Sequence, residues 1–93
     1  MKLRLTARVH RDLVGIASFI EKENPVAAAT VVQRIDATLK IIKDMPKVGR
    51  HGARPNTREL VVRGLPLLIV YRLAQDTIEV LTIFHTSQHP KRK

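Results

Sequence analysis

The side chains of this 93-residue chain that could do chemistry are cations and imidazoles: 17 Lys and Arg against eight Asp and Glu, a formal net charge of +9, and four His. There is no cysteine, so neither a disulfide framework nor a thiolate zinc site can form. The cations are unevenly placed. Between Met45 and Leu73 stand Lys47, Arg50, Arg54, Arg58, Arg63 and Arg72 against Glu59 alone, and the chain closes on Lys91, Arg92 and Lys93. Such an excess favours polyanionic or acidic partners: nucleic acid, the ribosome, or an acidic protein segment. The plain alternative is a solvated basic surface that keeps a small protein soluble. Phe19, Tyr71 and Phe84 are the only aromatic residues, so stacking of bases has little to work with.

These residues need elements to hold them. A chain of this length closes one core, and one sheet under one helical layer is about the largest it can build. No apolar run approaches the length of a membrane span, and no secretory leader pattern is present, which predicts a cytoplasmic protein. Residues 2–5 alternate charge with Leu3 and Leu5, the pattern of a short edge strand. Thr6 caps a first helix over 7–23, on which Val9, Leu13, Ile16 and Ile20 form one apolar stripe. Asn24 before Pro25 caps a second helix running to residue 44, with Ala28, Val32, Ile35, Leu39 and Ile42 in its stripe and Val31 widening it. So short a joint makes the helices an antiparallel hairpin.

Pro46, Gly49, Gly52 and Pro55 mark residues 45–56 as an irregular loop, long enough to suggest a role. Three strands follow, over 57–63, 67–73 and 77–85, as a meander, and a basic tail occupies 86–93. The expected fold is therefore a single α+β domain: an N-terminal edge strand and an antiparallel two-helix hairpin packed on an antiparallel sheet of three to four strands. The middle strand is apolar on both faces, with Leu67, Ile69, Tyr71 and Leu73 on one and Leu68 and Val70 on the other. One face serves the helices. The second is either shielded by loop and tail or awaits a partner.

Several groups recur along nearly the whole chain: Asp12-Leu13 and Ile16 with Phe19-Ile20, Asn24-Pro25 with Ala27-Ala28, then Pro46 and Gly49-Arg50. After them come Thr57-Arg58-Glu59-Leu60, Ile69-Val70-Tyr71-Arg72, and Ile78-Glu79-Val80-Leu81 leading to Phe84-His85 and Pro90. In this order they resemble the RelE/ParE superfamily of toxins from type II toxin–antitoxin modules. Two positions depart from the pattern: Pro66-Leu67 stands where many relatives read Pro-Tyr, and Arg63 where Pro is frequent.

The resemblance implies one of two activities on one fold. RelE-like members cleave mRNA in the ribosomal A site; ParE-like members bind and inhibit DNA gyrase. Metal-independent RNA cleavage needs a base, an acid and cations around the phosphorane. His85 would be the acid or base, Arg58, Arg63 and Arg72 the phosphate clamps, and His51 and His89 second-rank candidates in irregular segments. The set lacks the additional lysines or C-terminal tyrosine usual in that branch, and Tyr71 reads as a core residue. Arg58 and Arg72 could instead hold Glu59 and Glu79 in cross-strand pairs.

The ParE-like reading asks only for a stable surface, and the long hairpin with its Asn-Pro joint most resembles that branch. Gyrase inhibition is therefore the expected activity, with a basic module that has lost its toxicity as a third reading. The implied partner is a cognate antitoxin, acidic and partly disordered, that folds on contact into a hetero-oligomer with the toxin. It would lie against Val9, Leu13, Ile16, Ile20, Val31 and Ile35. Lys47, Arg50, Arg54, Lys91 and Arg92 would face the target, DNA gyrase or the ribosome with its mRNA. No cofactor and no metal is implied.

Overall fold

The structure, a computed structural model, describes residues 1–86; His89, Pro90, Lys91, Arg92 and Lys93 of the tail lie outside the described residues. In chain order the elements are β1 (Lys2–Leu5), α1 (Ala7–Glu23), α2 (Pro25–Asp44), β2 (Arg50–His51), β3 (Arg58–Val61), β4 (Leu67–Ala74) and β5 (Thr77–His85). The class is α+β and the hairpin lies on the sheet as expected, but the sheet has five strands and is mixed, in the order β1-β5-β4-β3-β2. β1 runs parallel to β5, whereas β5, β4, β3 and β2 pair antiparallel. Parallel neighbours need a long crossover, and here the crossover is everything from α1 to β4. The second addition, β2, lies in the segment read as irregular: two residues of it pair with β3, Arg50 opposite Glu59 and His51 opposite Arg58.

The helix boundaries follow from local chemistry. The Thr6 side chain accepts from the Val9 N–H at 3.4 Å and donates to the Val80 carbonyl at 2.9 Å, so it starts α1 and fastens that start to β5. Asn24 does two jobs. Its N–H donates to the Ile20 carbonyl, closing α1, while Oδ1 accepts from Val26 and Ala27 at 3.1 Å each, opening α2 behind Pro25. The joint is thus one residue long, and the two helices must fold back on each other.

The core lies between hairpin and sheet. Val9, Val31, Ile35, Leu39 and Ile42 meet Leu67, Ile69, Tyr71, Ile78, Val80 and Ile83, with Leu3, Leu5, Leu13, Ile16 and Ile20 packed around them. Val31 takes the inward place in α2 and Val32 is exposed, one position from the stripe the spacing suggests. In β5, Val80 and Ile83 both face inward although they are three residues apart. A register shift permits this: Val70 pairs with Thr82 but Tyr71 with Val80, so Leu81 is the extra residue of a bulge. Among the described residues no helix is long and apolar enough to cross a membrane.

Candidate functional site

The four residues that the RelE-like reading would bring together, His85, Arg58, Arg63 and Arg72, do not share a site. Arg58 stands opposite Tyr71 and Leu67 opposite His85, so along β4 the two positions are four residues, or about 13 Å, apart. Arg72 follows Tyr71 directly and projects from the other face of the sheet. Arg63 sits in the β3–β4 turn, where its carbonyl accepts from Arg34 Nη1 at 3.0 Å. His85 is exposed at the end of β5.

Each of the two strand arginines has a local occupation. Arg58 Nη1 donates to the Gly49 carbonyl at 2.8 Å and to the Lys47 carbonyl at 3.2 Å. The Tyr71 phenol, fully buried, donates to the Pro46 carbonyl at 2.8 Å and accepts the Gly49 N–H at 2.9 Å. Burial raises the phenol's pKa, opposed by the Gly49 N–H and the Arg58 charge. Together they clamp the backbone of residues 46–49, and only glycine fits there, since a Cβ on Gly49 would lie 2.7 Å from the phenol oxygen. Arg72 Nε donates to Glu79 Oε1 at 2.6 Å, the pair expected from the sequence, and Arg4 binds the other carboxylate oxygen. These two hydrogen bonds hold the Glu79 carboxyl below its ordinary pKa. The expected Arg58–Glu59 pairing gives way to another arrangement: Glu59 accepts from the Ala53 N–H at 3.1 Å and faces Arg50 at 3.7 Å. Arg4 and Arg50 were not legible as carboxylate partners, because strands β1 and β2 only acquire neighbours in the folded sheet.

A concavity of about 860 Å³ lies between α1 and the far end of β5. β1 covers β5 only as far as Val80, so the last turn of β5 runs on beyond it. Asp12 of α1 reaches across, its Oδ2 accepting from Thr82 Oγ1 at 2.8 Å and from the Ile83 N–H at 3.1 Å. The walls of the resulting groove are apolar, from Ile16, Phe19, Ile20, Leu65, Leu67 and Phe84. Arg8, Arg11 and His85 supply cationic and titratable groups beside them.

This geometry divides the expected docking set. Val9 and Ile35 are 0% and 2% exposed, inside the intramolecular core, whereas Val31, 7% exposed, also forms part of the groove wall. Leu13, Ile16 and Ile20 stay half-buried, and Ile16 and Ile20 line the groove. Phe19, outside the expected set, is 71% exposed and lines the groove as well. Its signal was there: a large aromatic in α1 with no core position to fill. Of the residues expected to face a target, Lys47 and Arg54 are exposed on the loop and Arg50 on β2, and Lys91 and Arg92 lie outside the described residues.

Comparison with known proteins agrees with this fold. The family model described as ParE toxin of type II toxin-antitoxin system, parDE, matches residues 3–90. A Sinorhizobium fredii (strain NBRC 101917 / NGR234) protein bearing a toxin name, Y4kP, is 41% identical over 87 residues, 94% of this chain and 90% of its own length. A structure described as the chromosomal ParDE TA system from P. aeruginosa matches with a TM-score of 0.85 at 25% identity, over 91% of this chain and 95% of that one. The isolated E. coli RelE toxin matches with a TM-score of 0.67 at 14% identity, over 90% of this chain and 82% of its own. The RelBE2 toxin-antitoxin complex from Mycobacterium tuberculosis matches at 0.61 and 24%, over 90% and 88%. The last two show a common fold alone. With a family match over residues 3–90 and a relative 41% identical over 94% of the chain, the chain belongs to the ParE toxin family of type II toxin–antitoxin systems.

Proposed function

We propose that this protein arrests growth by binding and inhibiting DNA gyrase, and that a cognate antitoxin neutralises it by laying a segment in the groove between α1 and β5. The observation that carries the gyrase half is the dispersal of His85, Arg58, Arg63 and Arg72. Metal-independent RNA cleavage requires a base, an acid and a cation within reach of one phosphate. Here two of the three arginines hold loop carbonyls and a carboxylate, and the imidazole stands at the other end of the strand. Inhibition by binding needs a surface and no such constellation.

The groove supports the antitoxin half. An apolar side chain of the partner would fit against Ile16, Phe19 and Ile20, and a partner rich in carboxylates would meet Arg8 and Arg11. Apolar burial in the groove would survive high salt while the charge contacts weaken. A segment that orders on binding matches a groove already built, since only one side then loses conformational entropy.

The deciding experiment adds the purified chain separately to a gyrase supercoiling reaction and to a translating-ribosome cleavage reaction. Loss of supercoiling is expected, with His85→Ala as potent as the parent chain. Cleavage of mRNA with gyrase untouched would overturn the proposal.

A further inference from the structure

We infer that the sheet face turned away from the helices is a docking surface for the carboxylates of a protein partner, held ready by Arg4, Arg72 and Arg50. It rests on the reading above for the partner's identity, which would be the toxin's protein target. The strand register sets the array. Arg4 of β1 pairs with Glu79 of β5, and Glu79 pairs with Arg72 of β4, so the three form one cross-strand row. Both arginines hold the same carboxylate, Arg72 Nε at 2.6 Å from Oε1 and Arg4 Nη2 on Oε2. The arginine side chains are 59% and 52% exposed, the glutamate 13%, so the negative charge lies beneath and the positive charge above.

The next row repeats the arrangement. Glu59 pairs with Val70, two residues from Arg72 and therefore on the same face, and Arg50 pairs with Glu59. Arg50 is 62% exposed over a Glu59 side chain that is 4% exposed. Three exposed guanidiniums thus stand over two covered carboxylates. A guanidinium carries five N–H donors in a rigid fork, and a carboxylate engaged on one edge leaves the other edges to face outward. Fixing the fork in advance removes part of the entropy that a long side chain loses on binding.

The surrounding residues favour a protein over a nucleic acid. Val61 is exposed on this face and Val70 half-buried, a mixture of apolar and guanidinium groups characteristic of protein interfaces. Phe84, opposite Leu68, is half-buried on this same face and is the one aromatic there among the described residues, whereas surfaces that bind single strands stack successive bases on several aromatics. Glu79 itself shows that a carboxylate fits between Arg4 and Arg72.

The test compares Arg4→Ala/Arg72→Ala with Lys22→Ala/Lys43→Ala, which removes the same charge from the exposed hairpin, and with Arg4→Lys/Arg72→Lys, which keeps the charge and loses the forks. Each is measured against purified gyrase, immobilised poly-L-glutamate and a 20-base DNA strand. The arginine-to-alanine pair should weaken gyrase binding about tenfold or more, the lysine replacements by an intermediate factor, and the hairpin control by less than about threefold. Equal losses in the arginine and hairpin variants would overturn the inference, as would a loss confined to DNA. If the parent chain does not bind gyrase at all, the gyrase reading fails. The poly-L-glutamate arm then decides the surface alone: the arginine variants must elute at lower salt than the hairpin control, and equal elution sinks it.

Discussion

The two ends of the sheet treat buried space in opposite ways. At the end where Arg58 and Tyr71 pair, polar groups inside the protein close the structure: a phenol and a guanidinium hold the backbone of residues 46–49 through four hydrogen bonds. At the other end, β5 outruns β1, the hairpin bridges the gap through Asp12, and an apolar hollow is left open with Phe19 at its side. At the closed end the buried polar groups are used up in holding the loop, while the open end exposes apolar surface that folding alone does not require. The difference teaches where stability and recognition separate in a domain this small.

If that separation is real, damage at the closed end should be read in stability. Tyr71→Ala removes a fully buried ring and both its hydrogen bonds, and should cost about 3–5 kcal/mol in a denaturant titration. Tyr71→Phe keeps the ring and leaves the Gly49 N–H and Pro46 carbonyl without the phenol, at about 1–3 kcal/mol. Gly49→Ala drives a methyl into the phenol and the Glu59 carbonyl, and should cost about 1–3 kcal/mol by the same measurement. A change below experimental error in Tyr71→Phe or Gly49→Ala would show that the clamp does not stabilise the fold.

Damage at the open end should be read in binding. Phe19→Ala is expected to shift unfolding by less than about 0.5 kcal/mol. Antitoxin affinity, measured by calorimetry, should fall by about 2 kcal/mol, or roughly thirtyfold. A variant that loses stability and keeps affinity would reverse the assignment of the two ends.

The smallest effects are those of pH, and they differ in sign. The buried Tyr71 has a pKa raised in the folded state, so its contribution is complete below the ordinary phenol value and is lost as pH rises through the folded one. The Glu79 carboxyl has a lowered pKa, so its contribution is present above the ordinary carboxyl value and is lost as pH falls through the folded one. Melting temperatures of the parent and Arg72→Ala should therefore converge in acid, whereas Tyr71→Phe should flatten the alkaline limb alone.

Much of this molecule was legible in its residues. The helix ends at Thr6, Asn24 and Pro25, the apolar stripes, and the three strands of the meander all rest on interactions within a few residues, which spacing and side-chain type reveal directly. The order of motifs also carried the family. What the chain could not disclose was everything decided by neighbours distant in sequence. The parallel pairing of β1 with β5 put Arg4 beside Glu79, and a bulge at Leu81 turned Val80 and Ile83 to the same side. The stripe of α1 was plain, yet only packing against the sheet determined that Val9 is consumed by the core while Phe19 remains outside it. Likewise, His85, Arg58 and Arg72 had the right chemistry for one site, and strand register separated them. Periodicity is a property of one segment, whereas burial and proximity depend on which other segment comes to lie beside it.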